Sequence, residues 1–204
     1  MGKNLEKQVF ITVGREFGSA GHIIGEKLAE RLGIHFYDRK IMDELGKQIH
    51  LDDEEIKKYD EKPKKGFFSR TVNGYSNSIE DILFEMQCNF IREKADNGES
   101  FVLVGRCGEM VLADRENHIS IFILGDKEEK ISRVMEVYSL PRDSAYEKMR
   151  RHDKARKAYH NSRCEGKWGD SRTYDVCVNS SKLGIERTVD MLETYVKRRL
   201  GELD

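Results

Sequence analysis

The chain has 204 residues, of which 38% are hydrophobic and 36% charged, and its 36 lysines and arginines against 37 acidic residues give a formal net charge of -1. This length fits one α/β domain with insertions or two small domains, and a chain of this size needs neither disulfides nor a structural metal to stay folded. The balanced charge argues against general nucleic-acid binding, and the lack of a long apolar run predicts a cytoplasmic protein with no membrane partner.

A strand, a glycine-rich loop and a helix open the chain. The apolar, β-branched run Gln8–Val13 predicts a buried strand. Apolar residues then recur every four positions, which predicts a helix over Gly21–Leu32 that ends at Gly33. A short strand over Ile34–Tyr37 and a helix over Asp38–Gly46 follow. This βαβα order is typical of a parallel sheet.

The middle of the chain begins with a segment rich in charge and turn formers, His50–Ser76, which predicts an exposed and mobile excursion. Hydrophobic periodicity then predicts seven further elements. They are, in order, helix Ser78–Lys94, strands Phe101–Val104 and His118–Leu124, helix Lys127–Tyr138, a helix beginning near Ser144, strand Val176–Val178 and helix Leu183–Leu200. Ser144 and Glu147 match the spacing of a capping box. The apolar face Ile79–Phe90 could pack inside the monomer or form the seam of a homodimer.

Five strands separated by helices predict an α/β fold, a doubly wound three-layer α/β/α sandwich around a five-stranded parallel sheet. Ligand sites in such folds lie at the carboxyl ends of the strands. Three informative segments follow predicted strands or lie close to them, and each has both a functional and a purely structural interpretation.

The first segment is the loop Gly14-Arg15-Glu16-Phe17-Gly18-Ser19-Ala20-Gly21. Glycines allow a backbone to approach phosphate oxygens closely, and a helix amino terminus supplies positive potential. The loop therefore predicts a phosphate cradle, although a tight turn without a ligand has the same pattern. The usual lysine is missing, since His22 stands in its place, and Ile23 offers no hydroxyl for magnesium.

The second segment, Gly105-Arg106-Cys107-Gly108, places a guanidinium after a predicted strand. Arg106 suits a phosphate or a pyrimidine edge, but it could equally pair with a carboxylate and stabilise the loop. Cys107 is interpreted as a small buried filler without an evident activating partner. The four cysteines of the chain form no CxxC pair, which predicts free thiols and no metal site.

The third segment is basic: from Arg142 to Arg172 ten lysines and arginines face five acidic residues, a net charge of +5. Such a run is either a solvated helix face or a mobile arm that brings arginines over a polyphosphate. Trp168 could anchor this arm or simply be a packed aromatic.

These segments make the chain resemble the cytidylate kinase-like family, relatives of the nucleoside monophosphate kinases. The resemblance rests on five stretches that together cover most of the chain. They are the glycine loop 14–21, Phe36-Tyr37-Asp38, Val104-Gly105-Arg106-Cys107-Gly108, the run Asp153-Lys154-Ala155-Arg156-Lys157-Ala158-Tyr159, and Tyr174-Asp175-Val176-Cys177-Val178-Asn179-Ser180-Ser181.

The resemblance implies a P-loop kinase fold with a core of residues 1–38, 99–140 and 172–204. It also implies a helical acceptor-binding insertion over 39–98 and a basic lid over 141–171. ATP and Mg²⁺ are the implied cofactors. Its site residues carry over by position as follows: Gly14, Gly18, Ser19, Ala20, Gly21 and His22 around the donor phosphates, Asn179 and Ser180 near the donor base, Arg150 and Arg156 as the catalytic clamp, and Asp38, Arg39, Arg106 and Asp153 at the acceptor.

Three departures from true cytidylate kinases bear on function. The loop lacks the lysine, so Arg15 or a lid arginine becomes the candidate for contact with the β- and γ-phosphates. The strand-two exit reads Tyr37-Asp38-Arg39-Lys40-Ile41, and the Gly-Arg-Asp patch is here Gly-Arg-Cys. The first hypothesis is an ATP-dependent kinase of a nucleoside monophosphate or similar small acceptor. The second is a catalytically weak nucleotide-binding sensor, and the third is a nucleic-acid contact through the basic segment.

Overall fold

The computed structural model describes residues 5–38, 71–72, 75–76, 79–105 and 107–203. In chain order these residues form β1 (Phe10–Arg15), α1 (Gly21–Leu32), β2 (His35–Tyr37), β3 (Thr71–Val72), β4 (Tyr75–Ser76), α2 (Ile79–Asp96), β5 (Phe101–Val104), α3 (Gly108–Val111), β6 (His118–Leu124), α4 (Lys127–Tyr138), α5 (Arg142–Asn161), β7 (Val176–Asn179) and α6 (Ser180–Leu200).

The main sheet has five parallel strands in the order β2-β5-β1-β6-β7, so the first strand lies at its centre. The short strands β3 and β4 pair separately in an antiparallel hairpin. Parallel strands require crossovers that cover both faces of a sheet with helices. The predicted five-stranded parallel sheet is thus confirmed, and the carboxyl ends of β1 and β6 meet where Gly14 pairs with Phe122.

Alternation along β1 sends successive side chains into two separate cores. Ile11 and Val13 are buried in one cluster together with residues of α1 and α6, whereas Phe10 belongs to a second cluster with residues of α2 and α3. Met86 and Phe90, which belong to the predicted apolar face of α2, are partly buried and pack against this second cluster. That face is therefore used inside the chain.

A third and smaller core joins α4 to α5. Ile131, Val134, Ala145 and Met149 are its buried members, and Phe17 of the loop after β1 packs against them. The helical pair therefore sits over the carboxyl end of β1, in contact with the glycine loop. Among the helices of the described residues, none has the length and apolarity to cross a bilayer.

The starts of two helices, α5 and α6, lie two or three residues before the predicted positions. The capping box at Ser144 is wrong, because α5 already begins at Arg142 with Pro141 in the N-cap position (φ -64°, ψ 155°). Proline has no N–H to lose there and its fixed φ suits a helix start. At the other end of the chain, Asn179 caps α6 by accepting a hydrogen bond from the Ser181 amide, and the backbone breaks at Gly184 (φ 74°, ψ 174°).

The predicted helix 38–46 and most of the predicted excursion 50–76 lie outside the described residues, apart from Asp38, β3 and β4.

Candidate active site

The glycine loop contains two residues with left-handed backbone conformations just before α1. Gly18 (φ +86°) and Ala20 (φ +61°) adopt left-handed conformations, and α1 begins at the next residue. Ser19 is fully buried and its Oγ donates a hydrogen bond to the Glu16 carbonyl at 2.9 Å. Its side chain is therefore directed into the protein, and the amides at the start of α1 follow directly after this buried residue and Ala20.

Those amides have no side-chain cap, because alanine occupies the N-cap position. The first N–H groups of a helix lack intrahelical acceptors and carry the positive end of the helix dipole. Here they belong to Gly21, His22 and Ile23, all three of which line an open cleft of about 370 Å³. An anionic group is the ligand that such a helix start favours.

Three arginines line the same cleft: Arg15 of the loop, Arg133 of α4 and Arg156 of α5. Arg133 Nη1 donates to the Gly18 carbonyl at 2.6 Å, and Arg156 Nη1 donates to the Arg15 carbonyl at 3.2 Å. Arg15 and Arg156 were predicted from the sequence. Arg133 was missed, and the only available signal was its place on a helix that follows a strand.

A buried ion pair supports the loop from below. Lys130 Nζ donates to Glu16 Oε2 at 2.7 Å, and the same carboxylate oxygen accepts from the Gly125 amide at 3.1 Å. Only 9% of the Lys130 side chain is exposed. This lysine lies under the loop and does not line the cleft, so it fixes loop shape without supplying the cation that the loop sequence lacks.

Helix α5 is docked onto the loop through Asp153. Its Oδ1 accepts a hydrogen bond from the Phe17 amide at 2.6 Å. Beside it the Phe17 ring stacks on His152, with ring centroids 4.3 Å apart and planes 6° from parallel. Burial raises the pKa of Asp153, while the Phe17 amide and the nearby Lys130 and Arg156 oppose that rise. A carboxylate thus occupies one amide of the candidate phosphate loop.

Arg150, the other predicted clamp residue, lies elsewhere. Its side chain is 61% exposed, pairs with Glu147 at 3.3 Å and lies over the Tyr146 ring at 5.5 Å. The packing of α5 against the glycine loop brings Arg156 to the cleft and leaves Arg150 on the outer face of the helix.

The candidate acceptor residues are only partly described. Asp38 Oδ2 lies 2.7 Å from His22 Nε2, so the end of β2 is tied to the first turn of α1. Arg39 and Arg106 lie outside the described residues. Asp153, also expected at the acceptor, contacts the Phe17 amide of the glycine loop.

Asn179 and Ser180 hold the loop through hydrogen bonds. Ser180 Oγ donates to the Ser19 carbonyl at 2.7 Å and, more weakly, to the Leu124 carbonyl at 3.2 Å. Asn179 caps α6 and donates through Nδ2 to Asp126 at 2.8 Å. These contacts connect the carboxyl ends of β6 and β7 to the loop after β1.

A small cavity of about 50 Å³ lies behind the loop, lined by Gly14, Arg15 and Arg156 together with residues that follow β5, lie on α3 and α5, or precede β7. A Cβ at Gly14 would come within 2.8 Å of the Phe122 ring, so this position requires glycine. Trp168 meets the same Phe122 edge-on, with centroids 5.2 Å apart. Trp168 is therefore a packed aromatic that also anchors the segment after α5 to the sheet.

The comparisons with known proteins agree with this geometry. A model of the cytidylate kinase-like family matches residues 10–182. An uncharacterized protein from Eubacterium ventriosum, of solved structure, has 40% sequence identity and a TM-score of 0.73 over 93% of this chain and 99% of that chain. Among curated proteins, no significant match is found.

More distant solved structures include two kinases. Shikimate kinase from Bacteroides thetaiotaomicron aligns with 12% identity and a TM-score of 0.54 over 95% of this chain and 98% of that chain. A gluconokinase from Sinorhizobium meliloti aligns with 16% identity and a TM-score of 0.50 over 98% of this chain and 94% of that chain. At these identities the alignments show the fold alone, and they confirm the predicted P-loop kinase fold.

Proposed function

The chain belongs to the cytidylate kinase-like family, and we propose that it is an ATP-dependent phosphotransferase that phosphorylates a nucleoside monophosphate or a similar small acceptor. The observation that carries this proposal is the convergence on one cleft of uncapped amides from the start of α1 and of three arginines, Arg15, Arg133 and Arg156.

Phosphoryl transfer requires alignment and positive charge around the transferring oxygens, and little covalent chemistry from the protein. Backbone amides at Gly21 and the two following residues would hold donor phosphate oxygens. Arg133 and Arg156 come from two different helices and would neutralise charge from the opposite side of the cleft. Together they would replace the missing loop lysine with guanidinium groups, each of which can bind phosphate in a bidentate way.

The loop does not fit a protein-held magnesium ion. Ser19, its one hydroxyl residue, is fully buried and hydrogen-bonded to Glu16, and Ile23 stands where a hydroxyl would be needed. Magnesium is commonly held through substrate phosphates and waters, with few protein ligands. In this proposal Mg²⁺ therefore enters with the triphosphate, and no step of the reaction is assigned to it.

The acceptor is proposed to bind beside Asp38, at the end of β2. Its contact with His22 on the first turn of α1 places this carboxylate next to the proposed donor phosphates. A short separation between donor and acceptor is what direct transfer requires. Nucleoside monophosphates are the proposed acceptor class because the family includes cytidylate kinase-like proteins.

A screen of ADP release tests the proposal, with MgATP and each common nucleoside monophosphate, and with shikimate and gluconate as further acceptors. We expect one acceptor class to give turnover, and Arg156→Ala to lower kcat by about 10²–10³ with a much smaller effect on ATP affinity. Arg142→Ala is the matched control, because this arginine is exposed on the same helix and paired with Glu128. Tight ATP binding without turnover for any acceptor would instead indicate a nucleotide sensor.

A further inference from the structure

Four side chains with metal-binding chemistry meet behind the proposed active site. Cys107 and Glu109 follow β5, whereas His160 and Cys164 lie four positions apart at the end of α5. All four are shielded from solvent: the side chains of His160 and Glu109 are 6% and 11% exposed, and residues Cys107 and Cys164 are 3% and 9% exposed.

The donor atoms of three of them are close together. His160 Nε2 lies 2.6 Å from Glu109 Oε1, and the ligand atoms of Glu109, His160 and Cys164 all lie within 4.8 Å of one another. Cys107 lines the same small cavity as Glu109 and His160 and so stands next to the group. Two sulfurs, one imidazole and one carboxylate form a set that suits a tetrahedral zinc ion and is unlike the all-oxygen sets of Mg²⁺ and Ca²⁺.

We propose that Glu109, His160 and Cys164, with Cys107 as the fourth ligand, form a Zn²⁺ site that ties α5 to the loop after β5. Ligand atoms about 2.0–2.1 Å from a tetrahedral ion lie roughly 3.3 Å apart, so the Glu109–His160 contact must widen by roughly 0.7 Å. Rotation of one carboxylate about its side-chain bonds accommodates such a change.

Two further features fit a metal site. The other ring nitrogen of His160, Nδ1, lies 3.3 Å from Asn161 Oδ1, which is the kind of outer partner that orients a metal-bound imidazole. An entry path also exists: Glu109, His160 and Cys164 line a wide cleft of about 640 Å³, and Glu109 and His160 also line the small cavity behind the loop. This site was not predicted from the sequence, because its two halves are more than fifty positions apart.

A metal ion bound at this site would hold α5 in its observed position. Two ligands come from the segment after β5 and two from the end of the helix that carries Asp153 and Arg156. A bound ion would therefore stabilise the arrangement in which those two residues contact the glycine loop. This inference goes beyond the proposed function, because it requires neither ATP nor an acceptor.

Metal titration of the full, reduced and metal-stripped protein tests the site without nucleotide. We expect one equivalent of Co²⁺ to give the thiolate charge-transfer and visible bands of a tetrahedral complex, and Zn²⁺ to displace it. Zn²⁺ at about 100 times its Kd should raise Tm by about 5–10 °C, since it binds the folded state only.

Variants assign the ligands. Cys164→Ser and Glu109→Gln should each weaken metal binding by more than about 100-fold, because loss of an outer partner alone costs about 10–100-fold. Cys177→Ser is the matched control, since Cys177 is an exposed cysteine on β7 and should bind metal as the wild type does. Glu109→Gln keeps the side-chain volume and covers the case in which Cys164→Ser does not fold.

Three results would overturn the proposal: no stoichiometric metal uptake by the reduced protein, uptake unchanged in both ligand variants, or a Cys107–Cys164 disulfide in a protein that takes up no metal after reduction. The kinase screen is independent of all three results. Failure of the metal site would leave the proposed phosphotransferase untouched, and the reverse also holds.

Discussion

Replacement of Asp153 by asparagine should tighten ATP binding. In the structure the Asp153 carboxylate accepts a hydrogen bond from the Phe17 amide at 2.6 Å, and Phe17 lines the same cleft as the residues whose amides are assigned to the donor phosphates. Asparagine keeps an oxygen that can accept this hydrogen bond but removes the negative charge. The substitution therefore isolates the repulsion between a fixed anion and an incoming triphosphate.

The magnitude is estimated from Coulomb's law. For a separation on the order of 6 Å between the carboxylate and a bound phosphate oxygen, two unit charges repel by about 3 kcal/mol at an effective dielectric constant of about 20. Lys130 and Arg156 lie near Asp153 and cancel part of this repulsion. About half should remain, which corresponds to a roughly tenfold lower Kd for ATP in Asp153→Asn.

Calorimetric titration with a non-hydrolysable ATP analogue, without acceptor, measures this Kd directly. Asp153→Ala loses the acceptor atom as well, so comparison of the two variants separates charge from docking of α5. Asp143→Asn, an exposed change in the first turn of the same helix, is the matched control. An unchanged or weaker affinity in Asp153→Asn would refute the reasoning, and a higher acceptor KM with unchanged ATP affinity would place Asp153 at the acceptor.

The same variant has a pH signature in stability. The raised pKa of Asp153 means that, between its ordinary and its raised value, the folded protein holds a proton that the unfolded chain has released. Asp153 therefore lowers stability as pH rises through that window. Measured by urea denaturation, the free energy of unfolding of Asp153→Asn should increase relative to that of the wild type as pH rises through this window. Above the window the difference should stay constant. A difference that does not change with pH would contradict the burial of this carboxylate.

Three further predictions concern the loop and its supports. Gly18→Ala should destabilise the protein by about 2–4 kcal/mol, since the position has φ +86° and a Cβ would lie 2.8 Å from the Lys130 carbonyl. Gly98→Ala has a similar φ with nothing within 4 Å, and thermal denaturation should show only about 1 kcal/mol for it. Glu16→Gln leaves Lys130 buried without its charge partner and should lower the free energy of unfolding, measured in urea, by about 2–3 kcal/mol. Glu128→Gln, which removes the partner of the exposed Arg142, should lower it by less than about 0.5 kcal/mol. Ser180→Ala removes the hydrogen bond to the Ser19 carbonyl, so it should lower the free energy of unfolding by about 1–2 kcal/mol and weaken ATP binding. Thr194→Ala, which removes a hydrogen bond within the same helix, should leave ATP binding unchanged. Equal effects of the two variants would contradict the role given to Ser180.

Local patterns were sufficient to predict most of the fold. Helix Gly21–Leu32 and strands Phe101–Val104 and His118–Leu124 have the predicted bounds, because each has a strong period or a continuous apolar run bounded by turn residues. The start of α5 was misplaced at Ser144, since the capping pattern competed with Pro141 and the proline determined the boundary. Local signals thus identified the elements well and their ends less well.

The site was harder to predict because its contacts join distant parts of the chain. Lys130 and Glu16 are 114 positions apart, and Asp153 reaches Phe17 over 136 positions. Periodicity describes which face of a helix is buried, but it does not tell which backbone amide a side chain on that helix will meet. Arg133 was missed for this reason, although it binds the loop more closely than Arg156 does.

The missing lysine changes how the loop depends on the rest of the protein. A loop lysine would come from the same segment as the amides and would stay beside them wherever α5 moved. Here the cations of the cleft come from three segments: Arg15 from the loop, Arg133 from α4 and Arg156 from α5. Since α4 and α5 share one core with Phe17, the charge around the proposed donor phosphates would depend on the packing of that core. Catalytic competence in this chain should therefore track the docking of the α4–α5 pair, and a substitution inside that core, away from any phosphate, should lower turnover.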